Sequence, residues 1–142
     1  MKLKTIIGGV FALMLGMGGT AFAAGDYYPP ERLHCKADAM GKVVCTDFNR
    51  QYLVESTHTA NLPTGKDLVF VFASGTAFST DQNEWSVFYT YKDPDSRNVR
   101  LKTVNTSIKP SFTAGSWTKF KDFYTCTTGY MSCPLTNLPA RS

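Results

Sequence analysis

From Leu33 onward, apolar positions recur mostly at every second residue. Trp85, Val87, Tyr89 and Tyr91 fall on one side of an extended chain, with Ser86, Phe88, Thr90 and Lys92 on the other. Val99 and Leu101 alternate with Arg100 and Lys102, and Phe120, Asp122 and Tyr124 alternate with Lys119, Lys121 and Phe123. Period two with β-branched and aromatic enrichment predicts half-buried strands. Residues 68–73 form an unbroken apolar run, which predicts a strand covered on both faces. Turn sequences separate these runs: Leu62-Pro63-Thr64-Gly65, Asp93-Pro94-Asp95-Ser96 and Ala114-Gly115-Ser116. Residues 51–60 carry Val and Thr and lack a 3.6-residue apolar stripe, which argues against a helix there. The pattern predicts one all-β domain, a small antiparallel β-sandwich or a partly closed barrel stapled by disulfides. Strand spacing does not separate those two.

The first 23 residues have a different pattern. Lys2 and Lys4 precede a charge-free apolar stretch over residues 6–19, and Ala21-Phe22-Ala23 follows. That order predicts a cleavable secretory signal over residues 1–23. The apolar run falls short of the roughly 20 residues a spanning helix needs. Its Gly8-Gly9 and Gly18-Gly19 pairs weaken it further. No second apolar stretch follows, so the expectation is no membrane anchor after cleavage. No cysteine borders the cut to carry a lipid. The expected address is outside the cytoplasm, periplasmic or secreted. Residues 24–30 read as a flexible lead-in, where Tyr27-Tyr28-Pro29-Pro30 favours an extended path. Residues 31–142 then form the single domain. Losing Lys2 and Lys4 leaves thirteen basic against eleven acidic residues, a net charge of +2. This is too mild to argue for nucleic acid or an anionic membrane as partner.

The exported part contains four cysteines, Cys35, Cys45, Cys126 and Cys133, and in that compartment disulfides are expected. If Cys35 faces Cys45 in a hairpin, Lys36 faces Val44, Ala37 faces Val43 and Asp38 faces Lys42. The loop is then Ala39-Met40-Gly41, and its last residue suits the left-handed position of a three-residue hairpin loop. Such a register places the cysteines at a non-hydrogen-bonded pair, about 4.5 Å apart at Cα. The same test on Cys126 and Cys133 leaves Gly129-Tyr130 as a two-residue type II′ loop. Pro134 then ends regular pairing. Three connectivities exist, and these two registers favour Cys35–Cys45 with Cys126–Cys133. Each bridge should contribute on the order of 2–3 kcal/mol. The spacings fit neither a zinc site nor a C-x-x-C redox pair.

No catalytic, metal or cofactor motif emerges. His34 and His58 are the only histidines, and no G-x-S-x-G elbow accompanies them. Asp93 and Asp95 flank Pro94 and read as turn residues, as do Asp81 and Glu84; neither pair suggests a glycosidase dyad. Binding is better supported than catalysis. Tyr27, Tyr28, Tyr130 and Met131 lie on a tail or an expected loop tip, where exposed aromatics suit sugar stacking or protein contact. Arg97, Arg100, Lys102 and Lys109 form a loose basic group, with Lys119 and Lys121 as possible neighbours.

The stretch Ala73-Ser74-Gly75-Thr76-Ala77-Phe78, followed by Trp85, resembles the Ser-Gly-x-x-aromatic motif and later Trp of periplasmic C-type lysozyme inhibitors. The resemblance implies a small disulfide-bearing β-barrel that inserts a loop into the lysozyme cleft. It adds Ser74, Phe78 and Trp85 to the candidate ligand-binding residues. The first hairpin and the C-terminal cysteines do not follow that pattern. The resulting expectation is a small exported protein that binds an extracytoplasmic protein or glycan without catalytic activity. The alternatives are an inhibitor of a cell-wall hydrolase acting through residues 74–78, and a secreted hydrolase using His58.

Overall fold

A computed structural model describes residues 25–57, 62–81 and 83–139. The expected signal segment and His58 lie outside them. Among the described residues the strands are β1 Arg32–Ala37, β2 Val43–Thr46, β3 Leu53–Thr57, β4 Leu68–Asp81, β5 Glu84–Lys92, β6 Asn98–Thr103, β7 Lys109–Pro110, β8 Thr118–Phe120, β9 Phe123–Cys126 and β10 Leu135–Thr136. The main sheet runs β2-β1-β4-β5-β6-β3, with β9 and then β8 added along β4. Its ladders are antiparallel, and it curls until it is nearly closed into a barrel. The partly closed barrel, rather than the sandwich, is therefore the architecture.

The remaining seam lies between β2 and β3, and side chains bridge it. The Cys45 N–H donates to Glu55 Oε2 at 2.8 Å, and Arg50 donates to the Cys45 carbonyl. Arg50 and Glu55 also pair with each other at 3.2 Å. These groups satisfy a backbone edge that no neighbouring strand reaches.

β4 organises the sheet. Its start pairs with β1 and its later half with β9, while β5 follows its other edge. The β4–β5 register shifts between Phe72 and Ser74, a bulge at Ala73. The bulge reverses facing: Phe70 points inward before it, Gly75 and Ala77 after it. Residues 68–73 are not covered on both faces as their apolar run suggested. Val69 and Val71 are 37% and 45% exposed. A sheet closed on itself has one interior, and no second layer covers this stretch from outside.

The core holds Leu33, Leu53, Phe70, Val87, Tyr89, Tyr91, Val99, Leu101, Ile108 and Leu135. Gly75 lies against it for a steric reason. A Cβ there would come 2.7 Å from Trp117 Cη2 and 3.1 Å from the Tyr89 ring. Residues near both ends of the described chain pack onto the barrel. Tyr27 exchanges backbone hydrogen bonds with Leu135 at 3.0 and 2.7 Å, Pro29 is buried, and the Tyr91 hydroxyl donates to the Pro30 carbonyl at 2.7 Å. Tyr27, Pro29 and Pro30 are thus fastened to the domain. Burial pushes the Tyr27, Tyr89 and Tyr91 hydroxyls above their ordinary range, because the phenolate would lose its hydration.

Both favoured disulfides form. The first hairpin has the expected register, with Cys35 opposite Cys45 at a Cα separation of 4.0 Å. Gly41 adopts φ +82, and Asp38 Oδ1 accepts hydrogen bonds from the Met40 and Lys42 amides, both at 2.9 Å. The second bridge forms without the expected hairpin. Gly129 has φ 145, and Tyr130–Ser132 makes a 3₁₀ turn. Cys126 instead pairs with Gly75 across the sheet. The cause is tertiary. The Ser132, Cys133 and Pro134 carbonyls accept hydrogen bonds from the Ser116 amide (2.7 Å), the Tyr89 hydroxyl (2.7 Å) and the Trp117 indole (3.0 Å). These bonds draw the segment across the barrel rather than back along β9.

The alternation over residues 119–124 is also not one strand. Lys121, at φ 56, turns the chain between β8 and β9, so Phe120 stands opposite Phe123. An unbroken strand would have put those two rings on opposite faces.

Candidate functional site

Since ladder partners share a face, the registers define what the outside of the sheet presents. One row reads Phe120, Phe123, Phe78, Ser86 across β8, β9, β4 and β5. The next reads Thr118, Thr125, Thr76, Phe88, Lys102, Val54, ending on β3. A third holds Ser74, Thr90 and Arg100. Three phenylalanines therefore lie side by side beside a line of threonine hydroxyls, with Phe88 continuing the aromatic surface diagonally.

These rings are partly open to solvent. Phe120 is 55% and Phe78 37% exposed, while Phe123 and Phe88 are half-buried. The Phe120 and Phe123 rings meet edge to face at 5.5 Å. Cations flank them: the Arg100 guanidinium lies 5.0 Å from the Phe88 ring centroid and the Lys121 ammonium 5.6 Å from that of Phe120. Two depressions indent the face. One, about 400 Å³, is lined by Thr76, Phe78, Ser79, Asp122 and Phe123. The other, about 270 Å³, is lined by Ser56, Phe78, Ser86, Phe88, Arg100 and Lys102. Phe78 is the wall they share.

The candidate residues from the sequence do not converge. Ser74 and Phe78 lie on this face, but residues 74–78 belong to a strand paired with β5, and over residues 75–78 also with β9. No loop projects there. Trp85 packs inward, its ring 5.7 Å from Phe112 and 5.6 Å from Tyr124. Tyr27 meets Tyr52 edge to face at 5.0 Å, and Tyr28 is half-buried near it in sequence. Tyr130 is half-buried in the 3₁₀ turn, where Met131 is 59% exposed. Phe88, Phe120 and Phe123 were not singled out from the sequence. Strand alternation does place Phe88 opposite the Tyr89 side, but the Phe120–Phe123 pairing needed the turn at Lys121.

Elsewhere several charged groups pair with one another. His34 Nδ1 contacts the Asp47 carboxylate on the exposed surface, and this bond holds the Asp47 carboxyl below its usual range. The Thr46 hydroxyl lies 3.2 Å from both the His34 carbonyl and Asp47 Oδ2, and its one proton is directed to one or the other of these acceptors, so it is not presented to the imidazole as a nucleophile. Asp93 is buried and caps its turn: Oδ1 accepts from the Asp95 and Arg97 amides, and Oδ2 pairs with Arg97 Nε at 2.8 Å. A pocket of about 320 Å³ opens at the β2–β3 seam, beside Glu55 and Cys45. Among the described residues no three His, Cys, Asp or Glu side chains gather as metal ligands.

The fold and this face define a nearly closed, disulfide-bridged β-barrel with an aromatic and cationic outer surface. No protein-family model, curated protein or solved structure matches the chain.

Proposed function

We propose that this chain is an exported binding protein without catalytic activity, and that its outer sheet face takes a protein or glycan ligand. The observation carrying the proposal is the adjacent row Phe120, Phe123 and Phe78, held rigid by paired strands and flanked by Arg100, Lys102 and Lys121. Contiguous exposed aromatics on a rigid element are a usual mark of recognition surfaces. The basic, apolar and Ala-Phe-Ala order of residues 1–23, together with two disulfides, supports export. The test combines a glycan array with capture from extracytoplasmic fractions, using wild type, Phe78→Ala and Phe123→Ala. Wild type should retain a ligand, and each variant should weaken it at least tenfold, the effect expected for a central aromatic anchor. Two blank assays, or a Phe78→Ala variant that binds as well as wild type, would refute the proposal.

A second reading has one observation in its favour. Ser74 and Phe78, from the stretch resembling lysozyme inhibitors, both face outward on this surface. An inhibitor built this way would cover a hydrolase with a flat sheet face instead of inserting a loop. A lysozyme activity assay decides it, and unimpaired lysozyme at micromolar protein removes it.

A further inference from the structure

We infer that the ligand of this face is an acidic glycan whose oxyanion, a carboxylate or a sulfate, is held at Arg100 beside Lys102. The inference rests on the outer face being the binding surface and adds the class of ligand.

Arg100 differs from the other described arginines. Arg32 pairs with Glu31, Arg50 with Glu55, and Arg97 with Asp93 and Asp95. Among the described residues Arg100 pairs with no carboxylate, and its buried Nε meets no hydrogen-bond partner there. A buried guanidinium N–H without an acceptor is costly, so this side chain gains from an anion beside it, and Arg100 lines the depression where an oxyanion can approach its guanidinium. The guanidinium carbon also lies over Phe88, 5.0 Å from the ring centroid, a cation–π contact that helps hold it in place before any ligand arrives. Lys102 lines the same depression, so two positive charges face one small volume. Forked guanidinium recognition suits planar or tetrahedral oxyanions.

The size of the patch favours a glycan over a protein. From β8 to β6 the face spans four strand intervals, and its three rows span two intervals of two residues each. That is about 19 by 13 Å, or roughly 250 Å². A stable protein interface uses about 800 Å² on each side. The chemistry agrees with a sugar chain. A pyranose has an apolar C–H face, suited to Phe78 and Phe123, and a hydroxylated edge, suited to Thr76, Thr125 and Thr118 in the neighbouring row. The two depressions meeting at Phe78 offer successive seats for linked units, the second at the cations.

The experiment is an NMR titration of the ¹⁵N-labelled chain, following the Arg100 Nε–H signal. The probes are a hyaluronan hexasaccharide (carboxylate), a heparin hexasaccharide (sulfate), maltohexaose (neutral) and hexaglutamate (an acidic peptide). One or both acidic sugars should shift the Arg100 signal, and the stronger responder identifies the oxyanion. Maltohexaose should leave it unmoved. Arg100→Gln should weaken the acidic sugar about tenfold or more, the loss expected for one charge-assisted hydrogen bond. Lys102→Gln, which leaves the Arg100–Phe88 contact intact, should produce a smaller loss, and added salt should weaken wild-type binding. Phe78→Ala should also weaken it. Equal binding of maltohexaose, an unaffected Arg100→Gln, or no shift at millimolar sugar would each overturn the inference. If Phe78→Ala still abolished binding of a neutral sugar, the face would remain the binding surface and only the ligand class would be wrong. Binding of hexaglutamate through Arg100, with no sugar bound, would overturn it in favour of an acidic protein ligand. If Arg100→Gln abolished binding and Phe78→Ala did not, the aromatic face itself would be refuted, and the inference with it.

Discussion

Replacing Gly75 with alanine tests the packing argument by its sign. A glycine inside a strand at an ordinary φ should be improved by alanine, by roughly 0.5–1 kcal/mol, since glycine loses more backbone freedom on folding. The structure argues the reverse. The added Cβ would stand 2.7 Å from Trp117 Cη2 and 3.1 Å from Tyr89 Cδ1 and Cε1. Neither ring can swing aside freely. Trp117 is 9% exposed and its Nε1 donates to the Pro134 carbonyl at 3.0 Å, while Tyr89 is fully buried and donates to the Cys133 carbonyl at 2.7 Å. Overpacking of this kind costs about 1–3 kcal/mol. The assay is guanidinium unfolding followed by tryptophan fluorescence. The single variant should be less stable by about 1–3 kcal/mol. Combined with Trp117→Phe, which removes the clashing atoms, Gly75→Ala should cost measurably less than it does alone. A Gly75→Ala variant as stable as wild type, or more so, would refute the packing account.

Other regions give independent tests. Glu55→Ala leaves the Cys45 N–H at the seam without its acceptor; it should cost about 1–3 kcal/mol and speed amide exchange at Cys45, whereas Glu55→Gln, which keeps an acceptor oxygen, should cost less. Replacing Cys126 and Cys133 together by alanine should cost about 2–3 kcal/mol in denaturant melts and raise amide exchange at Ser116, whose bond to Ser132 anchors the Ser132–Pro134 segment. Tyr89 and Tyr91 keep their protons in the folded state at pH values where the unfolded chain, ionising near 10, releases them. Stability is therefore full below about pH 10 and falls above it by about 1.4 kcal/mol per pH unit for each tyrosine, and Tyr91→Phe should make the fall shallower in denaturation midpoints measured against pH.

Much of the architecture is legible where neighbours in the chain are also neighbours in space. The hairpin around Gly41 is the clearest case: nine residues between two cysteines determine register, loop and bridge together, and each is local. The alternation of Trp85, Val87, Tyr89 and Tyr91 likewise marks one buried side of β5 without knowledge of the rest. The second disulfide shows where such reasoning stops. Its pairing was readable from spacing, but its backbone was not, because Tyr89, Trp117 and Ser116, all distant in the chain, hold the Ser132–Pro134 carbonyls.

Hydrophobic periodicity determined that this chain is antiparallel β, that one side of β5 and of β6 is buried, and that the cysteines bridge locally, since all three follow from side-chain alternation and short loops. Tertiary structure alone decided that the sheet curls into a nearly closed barrel with a seam latched by Arg50 and Glu55. It also decided that Tyr27 packs against Tyr52, and that Phe78, Phe88, Phe120 and Phe123 gather on one outer surface beside Arg100. The physical reason is register: which residues of strands far apart in the chain lie opposite one another depends on a bulge at Ala73 and a turn at Lys121. A shift of one residue at either point would place a different set of side chains in solvent.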